Sequence, residues 1–264
     1  MYETAFKWKK FLTETNKIDE LVKPENIDIA SFEIKQELNP EFWIGANSTL
    51  NPEIRDKLLQ IADDFYNQLG LDVDVFDVTI TGSLANYNWS KYSDVDLHII
   101  IDYTDVDADY EFVKEFLKSK KSDWNRKHDV RMFGYEVEVY VQDFQEAHMS
   151  TGVYSVLKNE WNKVPVREEV QVNWDDVRQK TSEVISRIDT VQQIMDEGNY
   201  GEAVEQADRI KDKIRRMRQC GLEYGGVHSI ENLAFKALRR GDYLEQLSDL
   251  KTMSYDRLMS VEEE

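Results

Sequence analysis

The stretch that decides the fold runs from Thr81 to Leu97 and reads TGSLANYNWSKYSDVDL. Residues 73–81, which lead into it, are rich in Val, Ile, Phe and Thr, a composition typical of a β-strand. Gly82 and Ser83 end that strand, and the residues after Ser83 are compatible with a short helix or a turn. A second apolar run follows Asp94 and continues to about residue 102. The pattern predicts two consecutive strands, with polar residues where the first ends and the second begins.

Two carboxylates open the second predicted strand. Asp94 and Asp96 are two residues apart, and side chains alternate across a strand, so both carboxylates point to one face of the sheet. Val95 and Leu97 then point to the other face, into the core. Two like charges side by side are costly unless a cation lies between them. Because Mg2+ prefers hard oxygen ligands, the pair predicts a divalent-metal site.

The Gly82-Ser83 pair is suited to binding phosphate. Glycine lets the backbone approach a ligand closely, and a turn exposes backbone N–H groups to an anion. A helix beginning here would add a favourable dipole, and the Ser83 hydroxyl can donate to a phosphate oxygen. Lys91 is the only basic residue between Ser83 and Asp94; it is either a further phosphate contact or a solvated loop lysine. Phosphate-binding groups beside metal-binding carboxylates are the minimum apparatus for nucleotidyl transfer.

A third carboxylate is expected from a neighbouring strand. Over residues 135–141, Glu136 and Glu138 share one face of the predicted strand, and Val137, Val139 and Val141 share the other. Alone, this pattern also fits an exposed edge strand with glutamates toward solvent. Beside an Asp-x-Asp strand, we interpret Glu138 as the third acid, with Glu136 as the alternative.

These motifs together resemble the DNA polymerase β-like nucleotidyltransferase superfamily. Its signature is a hydrophobic residue and Gly-Ser, a spacer of about ten residues, Asp-x-Asp, and a later acid between hydrophobic residues. Here Gly82-Ser83 is followed by ten residues, then by Asp94-Val95-Asp96, and Glu138 stands between two valines. The Ser-Asp-x-Asp-Leu form is similar to the minimal and antibiotic-modifying members. The resemblance covers roughly residues 50–145. It departs at residues 85–87, where minimal members often carry an Arg and a Gly.

The resemblance implies a function. Such an enzyme moves a nucleoside monophosphate from a nucleoside triphosphate to a hydroxyl acceptor, here a protein, a tRNA or a small molecule, and releases pyrophosphate. Two Mg2+ ions, or Mn2+ in their place, would be held by Asp94 and Asp96. Glu138 would bind the ion on the acceptor side and help remove the acceptor's proton. Gly82-Ser83 and Lys91 would contact the triphosphate.

The fold class predicted is α+β: a small mixed β-sheet nucleotidyltransferase palm flanked by helices, followed by an all-helical C-terminal domain. The predicted divisions are an N-terminal extension over 1–50, a catalytic domain over 51–150 and a helical domain over 151–264. Asn51-Pro52-Glu53 is a helix start, and Gly70 is the matching helix end. In the last division, breaks are expected at Asn199 and over 221–226. Helical spacing there predicts helices over 177–195, 201–220, 230–240 and 243–259.

The charge and cysteine content exclude several classes of protein. The net charge of -19 repels phosphate backbones and argues against non-specific nucleic-acid binding. Cys220 is the only cysteine, which excludes an intramolecular disulfide and fits a reducing compartment, so we expect a cytoplasmic protein. No stretch has the roughly 20 apolar residues of a membrane helix.

Residues 11–14, Phe-Leu-Thr-Glu, resemble leader sequences of virion proteins of large tailed phages, and a phage-encoded protein would act in the host cytoplasm.

The sequence leaves alternatives open for one cluster of basic residues and for the function of the protein. Residues 209–218 carry a cluster of basic side chains, which is either a solvated helix face or a patch that meets a triphosphate or a nucleic-acid acceptor. A different function is a catalytically silent member of the superfamily that serves as a structural or binding protein, in a phage or elsewhere. A third is a toxin–antitoxin component whose nucleotide transfer modifies a partner protein. The intact acids favour an active enzyme over the silent alternative.

Overall fold

The computed structural model describes residues 29–146 and 150–261, so the expectations for residues 1–28, including the Phe-Leu-Thr-Glu segment, lie outside the described residues. The chain forms two compact units, which we call the sheet unit, Ala30–Glu169, and the helical unit, which begins at Val170. The helices and strands of the sheet unit are, in chain order, β1 (Trp43–Ile44), β2 (Thr49–Leu50), α1 (Pro52–Leu69), β3 (Val75–Thr81), β4 (Val95–Ile101), α2 (Tyr103–Val106), α3 (Tyr110–Lys127), β5 (Arg131–Met132), β6 (Tyr135–Asp143), β7 (Val153–Ser155) and β8 (Glu160–Lys163). A 3-10 turn spans Ile29–Phe32.

The sheet is mixed and six-stranded, in the order β5-β6-β4-β3-β7-β8, while β1 and β2 form a separate small ribbon. β3 runs antiparallel to β4, and β4 runs parallel to β6. A parallel pair needs a crossover connection, which α2 and α3 supply here. The mixed α/β character and the helical C-terminal region are therefore as the sequence predicts.

The two long helices of the sheet unit cover one face of the sheet. Asn51 caps α1 by accepting from the Glu53 N–H, and Gly70 ends it in the left-handed conformation, which confirms both predicted ends. The apolar faces of α1 and α3 pack in one core with the inward residues of β3, β4 and β6. Phe65 of α1 meets Trp124 of α3 edge to face, with ring centroids 5.3 Å apart. The opposite face of β3, β4 and β6 carries the polar residues.

Residues 30–50 and 151–169, which were predicted to lie outside the catalytic domain, belong to the sheet unit. The predicted boundaries were residues 51 and 150, whereas the compact unit runs from Ala30 to Glu169. Trp43 lies in the core and stacks on Trp161 of β8, with ring centroids 4.5 Å apart, and also contacts Tyr154 of β7. Strands of two to four residues, with one or two apolar side chains each, carry too little periodicity to be found from sequence.

The edge of β6 is completed by a side chain of α3. The Asn125 amide nitrogen donates to the Val139 carbonyl at 3.3 Å, and the Val139 N–H donates to the Asn125 side-chain oxygen at 3.1 Å. Val139 is fully buried, so these two backbone groups have no access to water. The pair of bonds therefore fixes α3 against β6.

The helical unit contains α4 (Trp174–Asp196), α5 (Tyr200–Gly225), α6 (Ile230–Arg240) and α7 (Tyr243–Met259), with a 3-10 turn at Gly226–His228. Its buried apolar residues form a core of their own. Ser229 caps α6 by accepting from the Asn232 N–H, as its position before the helix predicts. None of the helices in the described parts of the chain is long and apolar enough to cross a membrane.

The predicted break over residues 221–226 lies at the far end of that stretch. Helix α5 continues as far as Gly225, five residues beyond its predicted end, and Gly226 follows with a φ of +66°. A Cβ atom on Gly221 would lie 2.5 Å from the Glu231 Cβ and 2.7 Å from the Ser229 hydroxyl oxygen. This glycine therefore serves close packing of α5 against the start of α6, and it does not end the helix.

Replacing Asn125 with Ala tests the contact between α3 and β6. The substitution leaves a buried N–H and a buried carbonyl of Val139 unsatisfied, so we expect a loss of about 2 kcal/mol in the free energy of unfolding. Urea unfolding followed by tryptophan fluorescence measures it. Asn67→Ala is the matched control, because the Asn67 side chain bonds only an exposed Asp63 and should change stability by less than about 0.5 kcal/mol. Equal losses in the two variants would contradict this account.

Candidate functional site

The predicted acids meet on the polar face of the sheet. Asp96 of β4 lies directly opposite Thr81 at the end of β3, and on its other side it lies opposite Glu138 of β6. Asp94 immediately precedes β4 and shares the parity of Asp96. Opposed residues on neighbouring strands project to the same face, so Thr81, Asp96 and Glu138 form one row, which we call the acid row.

Gly82 is required at the turn for two reasons. Its φ is +73°, in the left-handed region that favours glycine. A Cβ atom placed on it would also lie 1.8 Å from Oδ2 of Asp96. The carboxylate of Asp96 is thus packed directly against the backbone of the turn, which brings the predicted metal ligand next to the predicted phosphate-binding segment.

Residues 82–88 form turns and a bend, so no helix begins at Ser83 to add its dipole. The loop is closed at its base instead: the Ser83 hydroxyl donates to the Ser93 hydroxyl oxygen at 2.7 Å, and the Ser90 N–H donates to the same oxygen at 2.9 Å. Ser93 immediately precedes Asp94. This hydroxyl pair therefore holds the end of β3 against the start of β4, and it ties Ser83 to the acids.

The middle of the loop is held by the segment before α1. Trp43 donates from its indole nitrogen to the Leu84 carbonyl at 2.7 Å, and Trp89 donates in the same way to the Glu37 carbonyl at 2.9 Å. The Lys35 N–H donates to the Tyr87 carbonyl at 2.7 Å. Residues 30–50, predicted as part of an extension, thus help to shape the loop that leads to the acids. Long-range backbone contacts of this kind leave no local sequence signal.

The structure distinguishes the two candidates for the third acid. Glu138 lies opposite Asp96, and one of its carboxylate oxygens accepts from the Tyr140 hydroxyl. Glu136 lies opposite Arg131 in the β5–β6 hairpin, with 3.7 Å between the guanidinium nitrogen and the carboxylate oxygen. The geometry therefore favours Glu138 over Glu136 as the third acid beside Asp94 and Asp96.

A second row, formed by His98 of β4 and Tyr140 of β6 opposite it, lies beside the acids, and Tyr140 is not among the residues predicted for the site. The ring of Tyr140 stacks on that of His98, with centroids 4.8 Å apart and planes 10° apart. His98 Nε2 in turn lies 3.1 Å from the Thr81 hydroxyl oxygen. His98 therefore lies on the site face, and it is packed there by the tyrosine ring and the threonine.

Burial and the nearby carboxylates change the pKa of the Tyr140 hydroxyl. Burial raises the pKa of Tyr140 well above its usual value, and the charge of Asp96, the bond to Glu138 and the charges of Glu138 and Asp94 raise it further. All three acids of the prediction thus act on one hydroxyl. Because Tyr140 stays protonated at neutral pH, it keeps donating to Glu138.

Lys121 brings a positive charge to the acids from α3. Its ammonium nitrogen lies 3.4 Å from the centroid of the Tyr140 ring. Burial lowers the pKa of Lys121, while the charges of Glu138 and Asp96 raise it in partial compensation. Tyr140 could have been suspected from its parity with Glu138, but Lys121 could not, because only the packing of α3 on β6 brings it there.

Lys91, the predicted phosphate contact, lies in an exposed turn. Its ammonium nitrogen is 4.9 Å from the centroid of the Tyr92 ring. The basic residues of 209–218 lie on α5, in the helical unit, where Arg209 bonds Glu205 and Arg215 bonds Asp212.

The donor set fits a hard divalent cation. Asp94, Asp96 and Glu138 offer only carboxylate oxygens, which Mg2+ and Mn2+ prefer over nitrogen and sulfur. Within 29–146 and 150–261, no three His, Cys, Asp or Glu side chains already stand together as a metal-binding group. The fit therefore rests on the chemistry of the three carboxylates and on the convergence of their charges at Tyr140.

Comparison with protein-family models, with curated proteins and with solved structures gave no match.

Replacing Gly82 with Ala should displace Asp96. Gly45 has the same φ of +73° but has nothing within 4 Å of a built Cβ, so Gly45→Ala carries the same backbone strain without the steric conflict. Each variant should lose about 1 kcal/mol of stability to the left-handed backbone. Only Gly82→Ala should also weaken Mn2+ binding, by tenfold or more, as measured by electron paramagnetic resonance. Equal Mn2+ affinity in the two variants would show that the carboxylate position does not depend on Gly82.

Replacing Tyr140 with Phe removes the hydroxyl that orients Glu138. Partners that orient a metal ligand typically contribute tenfold to a hundredfold to metal affinity, so we expect Mn2+ binding to weaken about tenfold. Tyr135→Phe on the same strand is the control, because the Tyr135 hydroxyl accepts from Asn39 and contacts no acid of the row. Isothermal titration measures both affinities. An unchanged affinity for Tyr140→Phe would remove Tyr140 from the site.

Proposed function

We propose that this chain is a nucleotidyltransferase that moves a nucleoside monophosphate from a nucleoside triphosphate to a hydroxyl acceptor and releases pyrophosphate. The observation that carries the proposal is the position of Asp96, which lies between the backbone of Gly82 and the carboxylate of Glu138, with Asp94 beside it. A phosphate-binding turn and three carboxylates are thereby adjacent on one polar face.

The fold supports the same proposal. The strand that ends in Gly82-Ser83 is antiparallel to the strand with Asp96, and the strand with Glu138 is parallel to the latter. We propose that β3, β4 and β6 are the palm of a DNA polymerase β-like nucleotidyltransferase. We further propose that the protein acts in the cytoplasm, or in the host cytoplasm if a phage encodes it.

The transfer forms a bond between the acceptor oxygen and the α-phosphorus and breaks the bond from that phosphorus to the bridging oxygen of pyrophosphate. The acceptor proton leaves to water or to a carboxylate. Asp94, Asp96 and Glu138 would hold Mg2+, which would supply charge stabilisation for the phosphates and would lower the pKa of the acceptor hydroxyl. Mn2+ offers the same chemistry.

The chain's own residues bind and orient the reactants. The backbone N–H groups of the Gly82-Ser83 turn bind the triphosphate, and the closed Ser83–Ser93 pair keeps that turn beside Asp94. Glu138 is held by Tyr140 on the side of β4 away from the turn, so it lies on the acceptor's side. Lys121 limits the repulsion among the carboxylates before the substrate arrives.

The test is transfer of label from nucleoside triphosphates. The protein is incubated with Mg2+ and cell extract, in parallel with triphosphates labelled at the α- or the γ-phosphorus. We expect the α label on an acceptor and the γ label in pyrophosphate. In Asp94→Asn/Asp96→Asn, transfer should fall by at least about a hundredfold, with an unchanged circular dichroism spectrum.

The matched control is Asp63→Asn/Asp64→Asn, which removes the same charge from two exposed positions of α1 and should keep full transfer. Transfer that survives the Asp94→Asn/Asp96→Asn change would contradict the site. Absence of transfer, together with absence of triphosphate and Mn2+ binding by the unmodified protein, would contradict the enzyme and favour a silent member of the superfamily.

A further inference from the structure

Helix α3 is basic in an acidic chain. The whole sequence has a net charge of -19, yet the basic residues of α3 outnumber its acidic ones. The basic residues of α3 are Lys114, Lys118, Lys120, Lys121, Arg126 and Lys127, and the acidic ones are Glu111, Glu115 and Asp123. An anionic partner repelled by most of the surface is therefore attracted to this helix.

Three of these lysines form a line that ends at the acids. Lys114, Lys118 and Lys121 are spaced by four and three residues, so they lie on one flank of the helix, and Asn125 continues the same flank. We call Lys114, Lys118 and Lys121 the lysine stripe. At a rise of about 1.5 Å per residue, the stripe is roughly 10 Å long.

The packing of α3 fixes the direction of the stripe. Asn125 is bound to the edge of β6 at Val139, and Lys121, one turn earlier, contacts Tyr140 beside Glu138. Farther toward the start of the helix, the Tyr110 hydroxyl donates to Glu146, just beyond the end of β6, at 3.5 Å. The stripe thus begins at Glu138 and follows β6 away from the acid row.

The outer lysines are open to a partner. Lys114 is exposed, and the side chain of Lys118 is 68% exposed. Lys118 lies 3.1 Å from Glu115, which is equally exposed, and exposed ion pairs of this kind contribute little to stability. A phosphate can therefore take the place of Glu115 at small cost.

We propose that the lysine stripe binds the acceptor and that the acceptor is the 3′-hydroxyl end of a single-stranded polynucleotide. The proposal rests on the proposed function, which places the acceptor on the Glu138 side of the site. Three cations in line over roughly 10 Å match the repeated charges of consecutive phosphates. A small acceptor held at Glu138 would not extend as far as Lys114.

The experiment measures binding without catalysis. A ten-nucleotide oligoribonucleotide with a 5′ fluorescein and a free 3′ hydroxyl is titrated with the full chain in EDTA, without triphosphate, and followed by anisotropy at several salt concentrations. Three phosphate contacts on a single strand predict a slope of about -2 for log K against log salt. Lys114→Gln/Lys118→Gln should reduce the slope to about -0.7 and weaken binding at least tenfold.

The matched control stays on the same helix. Lys120→Gln/Lys127→Gln removes the same charge from the opposite flank, where Lys120 lies over the Phe116 ring and Lys127 pairs with Asp123. We expect its affinity to stay within twofold of the unmodified protein. Equal weakening in the two double variants would overturn the stripe, because it would show attraction to the net charge of the helix alone.

Four further outcomes separate the possible acceptors. Absence of oligonucleotide binding by the unmodified protein overturns the inference, as does complete displacement of the oligonucleotide by millimolar inorganic phosphate. Label transfer found only on protein in the extract also overturns it, while leaving the proposed function intact. Stripe-dependent binding without any label transfer contradicts the proposed function and leaves the polynucleotide-binding surface in place.

Discussion

Repulsion between carboxylates on neighbouring strands is the constraint on which the rest of the sheet unit depends. Asp96 and Glu138 are opposed because Leu97 and Val139, their buried neighbours, are opposed in the same register. A slip of one residue would turn the core-facing side chains of β4, such as Leu97, to the other face, so the hydrophobic core holds the register. The core therefore forces the acids together, and the surroundings must make that juxtaposition tolerable.

Three groups around Asp96 and Glu138 offset the repulsion between the two carboxylates. The backbone at Gly82 comes close to Asp96 because no side chain intervenes. The Tyr140 hydroxyl donates to Glu138, and its ring lies between His98 on one side and the Lys121 ammonium on another. Each of these groups offsets part of the repulsion between the two carboxylates.

Local features of this architecture are predictable from sequence, and features that depend on packing between distant segments are not. The ends of α1 follow from Asn51 and Gly70, because capping acts within one turn. The shared face of the acids follows from strand parity. Lys121 could not be found, because its place beside Tyr140 depends on how α3 packs against β6. The role of Trp43 depends likewise on a segment far along the chain, and the role of Gly221 depends on how α5 packs against the start of α6.

The bonds between Asn125 and Val139 have a consequence for how molecules of this chain meet. β5 pairs with β6 only near its start, so farther along β6 the outer backbone groups would otherwise be available to a strand of another molecule. Open edges of this kind promote association of sheets and aggregation. By binding both backbone groups of Val139, one amide side chain protects the molecule against edge-to-edge polymerisation at the strand that carries Glu138.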